Sequence, residues 1–113
     1  MDELADLPIR PVPEGTPAVA PDEAARLLAQ LGGGWELADG KKLRKTYRFA
    51  DFASALAFVN EVGRMADAVD HHPDIHLGWG RATVEIWTHT VGGVHTIDFA
   101  FAARCERIAA GRG

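Results

Sequence analysis

The sequence predicts an α+β fold in the order α-β-β-α-β-β-α: a four-stranded antiparallel sheet with helices packed on one face. Three observations predict it. Short alternating segments come in two pairs, each with a tight-turn signal, at Asp39-Gly40 and Gly80-Arg81. Segments with apolar residues at helical spacing precede, separate and follow those pairs. Strands joined by tight turns pair antiparallel, and such a sheet buries one face under helices.

The chain has 113 residues, which bounds it to a single domain. Residues 1–20 carry Pro8, Pro11, Pro13 and Pro17 with few large side chains, and read as a flexible, extended arm. The domain occupies residues 21–113. Pro21 suits the first position of a helix, and Asp22 and Glu23 favour its dipole. Ala24, Leu27, Leu28 and Leu31 form its apolar stripe, and 32–34, all glycine, end it. The first strand runs from about Trp35 to Leu37. The second runs from about Lys42 to Phe49, where Leu43, Tyr47 and Phe49 alternate with Arg44, Thr46 and Arg48.

Asp51 is placed to cap the next helix. Phe52, Leu56, Val59, Val62, Ala66 and Val69 mark one apolar face over about five turns. Pro73 stops it, and His72 falls past its end. A third strand at Ile75–Trp79 and a fourth at Ala82–Thr88 flank the second turn, with glycine as its first residue. A glycine-containing loop, 90–95, leads to a last helix that buries Ile97, Phe101, Cys105 and Ile108.

The bulk properties exclude several functions. A net charge of −4 and the lack of a Lys/Arg run argue against nucleic-acid binding. The most basic stretch is Lys41, Lys42, Arg44, Lys45 and Arg48, of which Lys42, Arg44 and Arg48 share one solvated strand face. Cys105 has no partner for an intrachain disulfide, which suits a reducing compartment. No apolar stretch is long enough to span a membrane, and residues 1–20 lack a secretory signal pattern. The expectation is a cytoplasmic protein.

All 5 histidines fall between positions 71 and 95. His76 reads as exposed, opposite Ile75, Leu77 and Trp79, and His95 as a loop residue. His71, His72 and His76 do not make a zinc site, because a proline turn breaks their spacing and no cysteine lies near. Cys105 reads as core, and neither a glycine-framed serine nor a phosphate loop is present. Proton transfer remains, for which histidine is suited near neutral pH. Asp67 precedes His71 by four residues and shares its helical face, so it would favour a protonated His71 ring. His71 is then the better proton donor and His89 the better neutral partner.

The segment Asp70-His71-His72-Pro73-Asp74 resembles the signature of pterin-4a-carbinolamine dehydratases. Asp67 stands upstream, and Trp79, His89 and Asp98 follow at matching intervals. Thr88-His89, Gly92-Gly93, Trp35, Phe49-Ala50-Asp51-Phe52 and Phe58-Val59-Asn60 extend the resemblance over about residues 21–110. It implies the α-β-β-α-β-β-α fold, dimers or tetramers, and neither metal nor redox cofactor. It also implies loss of the 4a-hydroxyl from a 4a-hydroxytetrahydropterin, giving quinonoid dihydropterin in tetrahydrobiopterin recycling. His71, His72 and His89 would be catalytic. Asp67, Pro73, Trp79 and Asp98 would bind or orient, with Asp67 acting on His71, and Asp98 on a histidine or on the last helix. Many members carry glutamate at Asp67, tryptophan at Ile75, and Gly-Leu-Thr at Gly93-Val94-His95, so Thr96 is expected to cap the last helix. The implied partners are a small pterin and a second copy of the chain, with neither direct nucleic-acid nor membrane contact. The rival reading is a non-catalytic interaction protein of the same fold, either a transcription-factor dimerisation cofactor or an enzyme assembly factor.

Overall fold

The computed structural model describes residues 3–112. Met1 and Asp2 of the expected arm and Gly113 of the expected domain lie outside the described residues. The elements are α1 (Glu3–Asp6), α2 (Pro21–Leu31), β1 (Glu36–Ala38), β2 (Lys42–Arg48), α3 (Phe52–Val69), β3 (Asp74–Gly78), β4 (Arg81–Ile86), a 3-10 turn at His89–Val91, and α4 (Thr96–Arg112). The sheet is antiparallel in the order β1-β2-β4-β3. β4 therefore lies between its hairpin partner β3 and the earlier strand β2.

Alternation decides which face of the sheet is buried. Leu43 and Tyr47 on β2 and Ala82, Val84 and Ile86 on β4 point into the core. Leu43 pairs with Ile86 and Tyr47 with Ala82, so one register aligns both apolar sets. The inward series also includes Lys45, whose ammonium lies 2.7 Å from the Glu106 carboxylate. Trp35 Nε1 and the Tyr47 hydroxyl donate to the same carboxylate. Burial and this hydrogen bond to Glu106 push the Tyr47 phenol far above its ordinary value. On the outer face, Lys42 and Arg44 both pair with Glu85.

The second hairpin turn differs by one residue from expectation. Gly78 pairs with Arg81, so the two-residue turn is Trp79-Gly80, with Gly80 second at φ 69°. A turn whose second central residue has positive φ selects glycine there. A Cβ at Gly80 would also lie 3.1 Å from the Phe49 carbonyl oxygen. The shift moves Trp79 off β3 and into the turn, where it is 69% exposed.

Asp51 caps α3 as expected, accepting from Ser54 N at 2.8 Å. The helix buries Ala55, Phe58, Val62 and Ala66, whereas Phe52 and Leu56 face outward. The expected stripe was rotated. The Phe58 ring packs at a tilt against Tyr47 and Phe49, with centroids 4.6 and 5.2 Å away, and that aromatic contact sets the rotation of α3. The helix ends at Asp70 in the left-handed conformation, with φ 54°. His72 thus lies past the helical end, as expected.

α4 is buried on more than one side. Ile97 through Ala103 all lie in the core, because α4 packs on the sheet, α2 and α3 while α1 covers it from outside. The segment expected to be a flexible arm packs against α4. Leu4, Ala5 and Ile9 are buried, and Arg104 donates to the carbonyl oxygens of Ala5 and Leu7 at 3.1 and 2.9 Å. Low hydrophobic content left this segment no strong signal, but α4 presents a second apolar side that needs cover.

Candidate active site

Three chain segments converge beside the end of β4. The first is the exit of α3, where the left-handed Asp70 turns the chain so that His71 and His72 leave the helix in different directions. The second is the stretch from Trp87 to Thr90 after β4. The third is the first turn of α4. Together with Pro11 and Val12 of the N-terminal segment they border a cleft of about 380 Å³, within the range of small-molecule sites. His71, His72, Pro73, Trp87 and His89 line it together.

Asp98 organises the site. It is fully buried in the first turn of α4. Its Oδ1 lies 2.6 Å from His71 Nε2, and its Oδ2 accepts from Thr88 Oγ1 at 2.7 Å and from His95 N at 2.8 Å. The carboxylate therefore joins the end of α3, the end of β4 and the start of α4. An acceptor-only carboxylate at Nε2 takes the N–H there, which leaves Nδ1 as the ring nitrogen that can exchange a proton. The His71 ring also sits edge-on to Phe101, with centroids 5.9 Å apart and planes at 84°. These two contacts fix both its tautomer and its tilt.

The cap of α4 is His95 rather than the expected Thr96, which is the first helical residue. Ile97 N donates to His95 Nδ1 at 3.4 Å while Asp98 takes the His95 N–H. This is a reciprocal cap in which histidine does the work usual for serine or threonine. His95 thus has a structural task.

Asp67 does not meet His71. It bonds to His72 Nε2 at 2.9 Å, and both side chains are well exposed. Helical spacing put Asp67 and His71 on one face only if the helix continued to His71. It ends at Val69, and the following turn swings His71 toward α4. Trp79 lies at the opposite end of β3 and takes no part in the cleft lining. Trp87, which the sequence reading did not single out, lines the cleft, with its ring 4.8 Å from that of His89. Alternation could have found Trp87, since it stands two residues before His89 on the same strand path. His76 lies outside, 3.6 Å from Glu85.

Trp87 and His89 also line a second cleft of about 350 Å³, toward Ala38, Lys41 and Lys42. Only one histidine faces it. Among the described residues, no three His, Cys, Asp or Glu side chains converge in a way that could hold a metal ion. The arrangement supplies a flat apolar wall, a carboxylate-held imidazole, and two more imidazoles at the rim.

Residues 17–108 match the sequence profile of the family described as pterin 4 alpha carbinolamine dehydratase. A Rubrobacter xylanophilus protein carrying that family name is 44% identical over 108 residues, spanning 96% of this chain and 100% of the relative. One from Chlorobium limicola is 45% identical over 107 residues, spanning 92% and 94%. The crystal structure of a transcriptional coactivator/pterin dehydratase from Brucella melitensis superposes with TM-score 0.77 at 29% identity, covering 81% of this chain and 98% of that one. A pterin dehydratase-like protein described as a RuBisCO assembly factor in the alpha-carboxysome shares the fold, with TM-score 0.59 at 23% identity over 70% and 93% of the two chains. On its sequence and on its fold, the chain belongs to the pterin-4-alpha-carbinolamine dehydratase family.

Proposed function

We propose that the protein is a 4a-hydroxytetrahydropterin dehydratase acting by histidine acid–base catalysis. The observation that carries this reading is the presence of His71, His72 and His89 on one cleft, with His71 held by the buried Asp98. In the reaction, the C4a–O bond breaks and the hydroxyl leaves as water after gaining a proton. A ring nitrogen of the pterin loses a proton and a C=N bond forms. No electrons pass to a carrier, so two proton-transfer groups suffice. We assign His71 as donor, because Asp98 compensates the charge of a ring that holds the proton to be given. His89, whose ring lies tilted against that of Trp87, is the acceptor. His72 stands at the rim beside them, and the Trp87 ring supports the flat pterin.

The product is quinonoid dihydropterin, which fits a place in tetrahydrobiopterin recycling. The buried, unpaired Cys105 suits a reducing compartment such as the cytoplasm. Phe52 and Leu56, exposed on α3, suit contact with a second copy in a homodimer or homotetramer. The same exposed side supports the second reading, an interaction protein. The coactivator and assembly-factor descriptions of its structural relatives point that way too.

The test is dehydration of freshly generated 4a-hydroxytetrahydropterin, followed by ultraviolet absorbance, with wild type beside His71→Ala and His89→Ala. Turnover that drops about a hundredfold or more in both variants supports the dehydratase. A folded wild type with no rate above buffer overturns it in favour of the interaction reading.

A further inference from the structure

We infer that Pro11 and Val12 form a ligand-contacting wall of the His71–His89 cleft, which makes the N-terminal strap a specificity-determining part of the site. The ligand is taken to be the pterin of the reading above. Both residues line the cleft together with the histidines. They lie outside residues 17–108, the stretch matched by the family profile.

The strap is anchored at both ends. Upstream, Leu4, Ala5 and Ile9 are buried, and Arg104 holds two carbonyl oxygens of the segment. Downstream, Val19 N donates to Val94 O at 3.0 Å. Ala18 also packs against Gly93, where an added Cβ would lie 3.4 Å from the Ala18 Cβ. Between these anchors, a third tie reaches the site itself. Thr90, the neighbour of His89, donates from Oγ1 to Val12 O at 3.0 Å. Pro11, Pro13 and Pro17 restrict the backbone here, and Thr16 N closes a turn on Pro13 O at 3.2 Å. A wall held this way is ordered before a ligand arrives, which lowers the entropy lost on binding.

Neither Pro11 nor Val12 has a group that can move a proton. They meet parts of the ligand that do not react, and such contacts hold ground state and transition state alike. Their loss therefore raises KM and leaves kcat in place. A residue with only a structural task would lower thermal stability and leave KM unchanged.

The experiment compares wild type, Val12→Gly and Val12→Phe in two measurements. One is steady-state dehydration. The other is equilibrium binding of 7,8-dihydrobiopterin, which has no 4a-hydroxyl to lose. Val12→Gly is expected to raise KM and Kd about tenfold, with kcat within about twofold of wild type. Val12→Phe puts bulk into the cleft and raises both constants as well. The inference is overturned if both variants keep wild-type KM and Kd, if only kcat falls, or if the wild type binds no pterin. A wild type that binds dihydrobiopterin without turnover, and loses affinity in Val12→Gly, sinks the dehydratase reading and keeps the wall.

Discussion

His71 Nε2 and Asp98 Oδ1 lie 2.6 Å apart, although the two residues belong to different helices and stand 27 positions apart in the chain. Their contact joins the exit of α3 to the first turn of α4. Asp98→Asn keeps the shape of the side chain but turns an acceptor into an amide at one oxygen. We expect kcat to fall about a hundredfold, because the His71 ring loses the partner that sets its tautomer. Asp98→Ala should also destabilise the fold by roughly 3 kcal/mol, since Thr88 Oγ1 and His95 N lose a buried acceptor. Single-turnover dehydration and urea unfolding of both variants separate the two effects.

Asp67→Ala provides the contrast. Its carboxylate touches His72 at the surface and does not reach His71. The expected change in kcat is less than about threefold, consistent with the small worth of exposed pairs. A fall as large as that of Asp98→Asn would mean that Asp67 acts on His71 after all.

The two tryptophans that flank β4 should separate cleanly. Trp87→Ala removes the wall beside His89 and should raise KM about tenfold or more. Trp79→Ala should leave KM and kcat within about twofold, as its ring is exposed in the β3–β4 turn. Steady-state assays of both variants check this.

Acid stability should depend on Glu85. Burial raises the pKa of its carboxyl, but hydrogen bonds from Lys42 and Arg44 and the charge of His76 outweigh that and hold it below its ordinary 4.5. A carboxylate lowered on folding adds stability that is complete above its unfolded value. That stability is lost as pH falls through the lower, folded value. Glu85→Gln should therefore unfold more easily than wild type at pH 7, with the difference shrinking below about pH 4.5. Urea midpoints measured from pH 7 down to pH 3 show whether the two curves converge.

The elements of this fold were legible locally because each has a short-range cause. Asp51 precedes α3 by one residue, Pro21 opens α2, and alternation in 43–47 marks a buried strand face. The histidine cluster was legible for the same reason, since its intervals are counted along the chain. Other features depend on where elements meet. The rotation of α3 follows from Phe58 packing under Tyr47 and Phe49, a contact between separate elements.

By itself, then, the sequence determined the order of elements, the antiparallel sheet and the family, each written in local pattern and spacing. Only the tertiary structure decided that Asp98, and not Asp67, holds His71, that Trp87 and not Trp79 walls the cleft, and that the N-terminal strap reaches the site. The physical reason is that two left turns of the backbone, at Asp70 and Gly80, redirect the side chains that follow or precede them. A buried carboxylate then selects its partner from residues brought together by packing, and sequence spacing has no say in that choice.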